Sequence, residues 1–333
     1  MHLPLPSRRQ LERSTARLLL LACLGAAAVG GVSFSGIGTP AAHASPRSSQ
    51  RLAETSTDTD DVTGKSFSDE DDAASAAYWT PERIHKADAA SADSPEDDAS
   101  LVQSSGLTHY EPVYWIGRLY FTRGGQEGSC TGSVVKSDSR LVVATAAHCL
   151  YFDREFATNV RFIPAWDGAN KPLLTWGADF YQVTTSWHSS MDAQHDTAFI
   201  KMKPREDWDG KKTYLADVAG APRVDFALAA PRLHYEMFGY SQVSGYTPAP
   251  LVTCSGEGDR FIGSPRRIGL MPCQFPPGSS GGPVYHASTR GPNGTQVGNT
   301  SSVQTLGNTV ISWFVPWGSE EHAVYKNVDT FVG

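Results

Sequence analysis

The chain has 333 residues, 40% of them hydrophobic, and a formal net charge of −7; that is length for about two domains with a sizeable core. The charge is uneven: residues 1–44 carry +3, residues 45–105 carry −9 and the remainder −1. The acidity therefore belongs to one segment and implies nothing about a folded domain's ligand, and without a basic patch no nucleic-acid partner is expected.

The N-terminus reads as an export signal over residues 1–44. Arg8, Arg9, Arg13 and Arg17 form a positive region, Leu18 to Val32 is apolar, and Ala42-His43-Ala44 is a small-x-small cleavage site that would leave Ser45 first. The alternative is an uncleaved membrane anchor. Ser7-Arg8-Arg9-Gln10-Leu11 loosely resembles a twin-arginine signal. Leu20-Leu21-Ala22-Cys23 has the outline of a lipoprotein box, but it lies too close to Arg17, with no apolar stretch before it. Cleavage predicts a secreted, extracellular protein with no membrane contact. It also removes Cys23 and leaves Cys130, Cys149, Cys254 and Cys273. An even count in an exported chain predicts two disulfides, in one of three connectivities. No Cys-x-x-Cys pair is present, so no metal site is predicted.

Residues 45–108 follow as an acidic, largely disordered propeptide. Asp58-Thr59-Asp60-Asp61, Asp69-Glu70-Asp71-Asp72 and Glu96-Asp97-Asp98 alternate with Ala, Ser and Thr. Such a composition buries too little surface to offset the entropy of ordering. Tyr78-Trp79-Thr80-Pro81-Glu82-Arg83-Ile84 stands apart. Thr80 suits an N-cap and Pro81 the first helical position. The aromatics suggest an element that docks on the domain behind it; incidental aromatics in a linker are the alternative.

From Tyr110 onward, short β-branched and aromatic runs alternate with turn residues. Predicted strands are 113–122, 131–135, 141–146, 159–164, 180–187 and 196–202. After a helix-poor stretch with Asp207, Gly210 and Pro222 come 234–240, 251–254, 266–271, 282–285, 304–313 and 323–326, then a helical turn at Asp329-Thr330-Phe331. The pattern alone predicts an all-β, exported domain. Three motifs punctuate it. Thr145-Ala146-Ala147-His148-Cys149 closes an apolar run. His195-Asp196-Thr197-Ala198-Phe199-Ile200 puts an aspartate before a short apolar strand. Pro277-Gly278-Ser279-Ser280-Gly281-Gly282-Pro283 sets a serine in a turn of small residues. Such a turn exposes a hydroxyl and aims backbone N–H groups at one point, which suits acyl transfer. His, Asp, Ser is a known chain order for a nucleophile, base and orienting acid.

On these residues the chain, over roughly 109–333, resembles the chymotrypsin-fold (trypsin-like) serine peptidases, nearest the secreted bacterial branch that includes the glutamyl endopeptidases. The resemblance implies two antiparallel six-stranded β-barrels, about 109–205 and 230–333, with the site in the cleft between them. It implies a proenzyme hydrolysing peptide bonds, with polypeptide substrates and its own propeptide as partners, no cofactor, and a monomeric state. Ser280 would attack the scissile carbonyl, His148 would act as general base and Asp196 would orient it. Backbone N–H groups of Gly278 and Ser280 would form the oxyanion hole. Cys130–Cys149 would be the histidine-loop disulfide, leaving Cys254–Cys273. Ser312-Trp313-Phe314 resembles the cleft-lining strand, with Ser312 bonding Asp196 and the strand pairing with substrate. Residues 287–308 would then be an insertion on the surface. Gly239-Tyr240 resembles the start of an autolysis-type loop.

The chain also departs from the family. Trypsins hold aspartate just before the nucleophile as partner of a new N-terminal ammonium; here Ser279 stands there, so activation should take another route, such as propeptide removal uncovering the cleft. Gln274 replaces the trypsin pocket aspartate. Ile311 stands where glutamyl endopeptidases place histidine. With Phe275 and Phe314 flanking the pocket, cleavage after medium or small uncharged residues is expected. A catalytically silent protease-like binding module is the competing reading, and a non-peptide serine hydrolase a third.

Overall fold

The computed structural model describes residues 63–90, 106–168, 170–241, 250–261, 264–286 and 292–333, all within one unit. The predicted signal peptide and the loop after Tyr240 lie outside the described residues. Among the described residues no helix is long and apolar enough to cross a membrane.

Both barrels of the all-β architecture are present and closed. Barrel one contains β3 (Ile116–Arg123), β4 (Gln126–Val134), β5 (Val142–Thr145), β6 (Thr158–Pro164), β7 (Trp176–Val183) and β8 (Ala198–Met202). They pair antiparallel in the order β7-β8-β5-β4-β3-β6, and β6 closes on β7. Barrel two contains β9 (Leu233–Tyr240), β10 (Leu251–Asp259), β11 (Ile268–Leu270), β12 (Pro283–His286), β13 (Thr295–Leu306) and β14 (Thr309–Pro316). Its order is β9-β12-β13-β14-β11-β10, closed by β9 on β10. A short strand β2 (Thr108–Tyr110) extends its edge beside β10.

Two-residue periodicity explains these strands. Along β3, Leu119 and Phe121 enter the core of barrel one, whereas Ile116 and Tyr120 face a second cluster shared with Phe238, Tyr240 and Tyr285 of barrel two. Val143 likewise points into barrel one while Val142 and Ala144 face outward under the C-terminal helix. The barrels are therefore joined by apolar surface as well as by chain.

The sequence expectations fail in three places. Residues 304–313 were expected as one strand, its first half overlapping a surface insertion at 287–308. They span two, β13 and β14, which turn at Gly307 and pair antiparallel from Leu306–Thr309 back to Gly298–Pro316, with a register shift between Thr300 and Ser302. Residues 323–326 belong to a helix, Ser319–Thr330, which buries Val324, Tyr325 and Val328 against Phe199 and Trp317. A four-residue window hides that 3.6-residue period.

The third concerns residues 63–90, which composition placed in a disordered tract. They form β1 (Gly64–Ser66), α1 (Asp69–Tyr78) and α2 (Pro81–Ala90). β1 adds to barrel one beside β7. Ser68 caps α1 in a capping box with Asp71. The acidic run has fixed partners: Asp69 meets Lys203 at 2.6 Å and Asp72 meets Arg161 at 3.0 Å. Trp79, Ile84 and Ala87 are buried in the cluster between the barrels, and the Trp79 indole N–H donates to the Asn159 carbonyl. The aromatic patch is thus a docking element.

Truncating a buried Trp removes its contacts and leaves a cavity, typically costing about 3–5 kcal/mol. In a Ser280→Ala background, which avoids self-digestion, Trp79→Ala is expected to lower unfolding free energy by about 3 kcal/mol or more. The urea midpoint checks this; a loss under ~0.5 kcal/mol, ordinary for a surface position, would show that the segment is not docked.

Candidate active site

Each predicted catalytic residue sits where an element ends. His148 lies in a one-turn helix, Ala147–Leu150, entered directly from β5. Asp196 follows a short turn, Ala193–His195, and stands two residues before β8. β8 pairs with β5 so that Ala198 opposes Thr145, which brings the aspartate beside the histidine helix. Ser280 occupies the turn before β12.

Asp196 grips His148 twice. Its Oδ1 accepts the His148 backbone N–H at 2.8 Å, and its Oδ2 faces ring Nδ1 at 2.7 Å. Oδ2 also accepts from the Ser301 hydroxyl at 2.7 Å. Asp196 is 2% exposed. Burial pushes its carboxyl up, but attraction to the His148 ring and the hydrogen bonds from His148 and Ser301 outweigh it and hold the carboxyl below its ordinary value. The carboxylate therefore stays ionised near neutrality, and an ionised acceptor calls for a proton on Nδ1. Nε2 is left as the ring's basic nitrogen.

Rival residues have other partners. The Asp192 carboxylate caps the turn by accepting the Gln194 N–H at 3.0 Å. His195 is held by Glu321 at 2.9 Å. Ser279 is buried and its hydroxyl donates to the Pro276 carbonyl at 2.6 Å, away from the cleft. Ser280 is half-buried.

The serine turn is built by close approach. Gly278 and Gly281 adopt φ of +88° and +82°, a region that favours glycine. At Gly281 a Cβ would lie 2.7 Å from the Ala146 nitrogen, so the turn abuts the residue two before His148. The Ser280 carbonyl accepts from Thr131 N–H at 2.8 Å and the Gly281 N–H donates to Thr300 at 2.8 Å. Among the described residues, the Gly278 and Ser280 N–H groups, the Ser280 hydroxyl and Nε2 of His148 have no hydrogen-bond partner. Two unpaired N–H donors and an unpaired hydroxyl within one turn suit a developing oxyanion, and catalytic contacts commonly tighten only when substrate binds.

The substrate strand requires correction. Ser312 does not reach Asp196: its hydroxyl donates to the Cys273 carbonyl at 2.9 Å and accepts the Phe275 N–H at 3.0 Å. β14, which carries Ser312, Trp313 and Phe314, is hydrogen-bonded on both edges, to β13 and β11, and cannot receive a peptide. Ser301, on β13, makes the contact expected of Ser312. Beyond Ser301, β13 pairs only with β14 among the described residues, whose strands leave its other edge open along Ser302–Leu306. Sequence reasoning passed over Ser301 because it placed residues 287–308 in a surface insertion; the turn at Gly307-Asn308 was the available signal. Thr300, not Ile311, therefore precedes the serine that bonds the acid, and its hydroxyl is buried with no partner among the described residues. Phe275 and Phe314 pack in the barrel-two core and do not flank an open pocket, which removes their part of the argument for small residues. Gln274 is half-buried.

Disulfides join Cys130 to Cys149 and Cys254 to Cys273. The first ties β4 to the histidine helix. Its sulfurs and a His148 nitrogen lie within 4.8 Å of one another, but disulfide sulfurs are not thiolate ligands, so the cluster does not fit a metal.

Two closed barrels with a Ser, His and Asp gathered at strand ends define a chymotrypsin-type hydrolase. No protein-family model and no curated protein matches the sequence. Solved structures do. The protease Anisep of Arthrobacter nicotinovorans is 31% identical, with a TM-score of 0.59 over 68% of this chain and 100% of its own. The thermostable serine protease AL20 from an extremophilic microorganism is 25% identical, also at 0.59, over 67% and 99%. A Glu endopeptidase solved with MPD shares the fold at 17% identity and 0.54, over 68% and 98%. The chain belongs to the bacterial chymotrypsin-fold serine proteases, hydrolases that act on peptide bonds.

The Asp196 environment generates a signed pH prediction. Because its folded pKa lies below the unfolded value of about 3.9, its stabilising contribution is complete above that value and lost as pH falls through the folded one. Ser301→Ala removes one donor and raises the folded pKa towards the unfolded value, so the acid-side fall in melting temperature that comes from Asp196 is expected to be smaller and to finish at higher pH. It should also cost about 1.5 kcal/mol, near tenfold in kcat/KM. Melting curves from neutral pH to about pH 3 check the first effect; superimposable acid limbs would contradict it.

Proposed function

We propose that this protein is a secreted serine endopeptidase that works through an acyl-enzyme on Ser280. The observation that carries the reading is the two-point grip of Asp196 on His148 beside the serine turn.

The Ser280 hydroxyl attacks the scissile carbonyl as His148 Nε2 takes its proton. The oxyanion that forms is received by the N–H groups of Gly278 and Ser280. The C–N bond then breaks, the imidazolium gives its proton to the leaving amine, and an ester remains on Ser280. Water attacks that ester, His148 takes the water's proton, and collapse returns it to Ser280 with release of the acid. Asp196 holds the ring in the tautomer that leaves Nε2 basic and stabilises the imidazolium. The open β13 edge suits an extended polypeptide, bound by main-chain pairing at Ser302–Val303.

Export and synthesis as a longer precursor belong to the same proposal. Support comes from the signal-like residues 1–44 and from relatives whose whole length matches only about two thirds of this chain. The idea that removing the acidic segment bares the catalytic groups has no support from residues 63–90, whose contacts reach none of His148, Asp196 and Ser280.

A fluorophosphonate probe tests the chemistry. Labelling is expected at Ser280 and should vanish in Ser280→Ala and His148→Ala, with casein cleavage lost in parallel. Gly278→Ala, forced into an unfavourable φ, should misdirect one oxyanion donor and lower kcat by about 10²–10³. A matured protein that folds but neither labels nor cleaves would favour the silent binding module.

A further inference from the structure

The serine turn is held from behind by a buried cation. Arg118, on β3, is 0% exposed. Its Nη1 donates to the Gly278 carbonyl at 3.0 Å and the Tyr240 carbonyl at 3.2 Å, and its Nη2 donates to Ser129 Oγ at 3.0 Å. The Thr131 hydroxyl adds a second donor to the Gly278 carbonyl at 2.9 Å. Fixing that oxygen fixes the planar Gly278–Ser279 peptide, and with it the path of the turn that aims the two N–H groups.

A guanidinium buried this deeply needs an anion. Burial pushes Arg118 down, and the attraction of Asp88 and Tyr120 outweighs it. Asp88 Oδ1 receives Nη2 at 2.7 Å and Nε at 3.2 Å, while its Oδ2 accepts the Tyr120 hydroxyl at 3.0 Å. Asp88 lies on α2, in the acidic N-terminal segment. The Ser279 hydroxyl bonds Pro276, and the turn is steadied through the Gly278 carbonyl.

The geometry points to Asp88 as a positioning residue for proteolysis: through Arg118 it holds the Gly278 peptide, which makes residues 63–90 a working part of the active enzyme. This rests on the Ser280 reading. The segment is anchored independently of its covalent link to the domain. Phe67, Trp79, Ile84 and Ala87 are buried against the barrels and β1 pairs with β7. Processing that severs the chain ahead of residue 109 would leave it in place.

The test uses the full chain as secreted, with active sites counted by fluorophosphonate and folding followed by circular dichroism. Asp88→Asn is expected to lower kcat about tenfold to a hundredfold, less than outright loss of an oxyanion donor, with KM little changed. A paired apolar replacement, Asp88→Leu with Arg118→Met, removes both buried charges and commonly preserves or restores stability. It should melt like the parent yet keep the low kcat, because nothing then holds the Gly278 carbonyl in place of the guanidinium. Should Asp88→Asn not fold, the paired variant decides alone. Probe-labelled wild-type enzyme should retain peptides from residues 63–90 by mass spectrometry. An unchanged or raised kcat in Asp88→Asn, recovery of kcat in the paired variant, or labelled enzyme free of the segment would overturn the inference. Wild-type protein that fails to label would instead overturn the reading of Ser280 on which it rests.

Discussion

The site depends on one buried carboxylate. Asp196 lies at 2% exposure at the start of a barrel-one strand and receives hydrogen bonds from two parts of His148 and from Ser301 of barrel two. An ionised group so placed would be costly without partners. With them it fixes the histidine ring and also links the barrels, since its acceptors reach into both. The Asn299 side chain adds to the link by donating to the Asp196 carbonyl at 2.9 Å. Barrel closure positions Asp196, Asp196 fixes His148, and the serine turn of the other barrel abuts the residue two before that histidine.

That turn is a second constrained object. Small residues at Gly239, Gly281 and Gly282 are required by close approach: a Cβ at Gly239 would meet the Ser279 Cβ at 2.5 Å, and one at Gly282 would run into the Phe238 carbonyl. Steric crowding sets the path of the turn, and donors from Arg118 and Thr131 set the orientation of its Gly278 peptide. The acidic N-terminal segment enters the same network by supplying the guanidinium's counter-ion.

Much of this was legible in the sequence because local chemistry and global fold agree there. The three motifs carry residues whose reactivity and backbone freedom are recognisable at short range, and alternating apolar runs mark most barrel strands. The failures share a cause, which is that tertiary partners decided the outcome. An acidic tract looked disordered because Lys203, Arg161 and Arg118, which neutralise it, lie far off in sequence. The last helix was read as a strand because its buried face becomes apparent only against Phe199 and Trp317. Ser301 was missed and Ser312 given its role because which hairpin strand faces Asp196 is a matter of register. The two-barrel arrangement itself came from resemblance, since periodicity supports only an all-β domain.

The most direct measurement is a crystal structure of the enzyme inactivated by a peptidyl phosphonate. The account predicts phosphorus bonded to Ser280 Oγ, the phosphoryl oxygen between the N–H groups of Gly278 and Ser280, and the peptide running along the open edge of β13 at Ser302–Val303. Phosphorus on another residue, or a peptide lying away from β13, would contradict it.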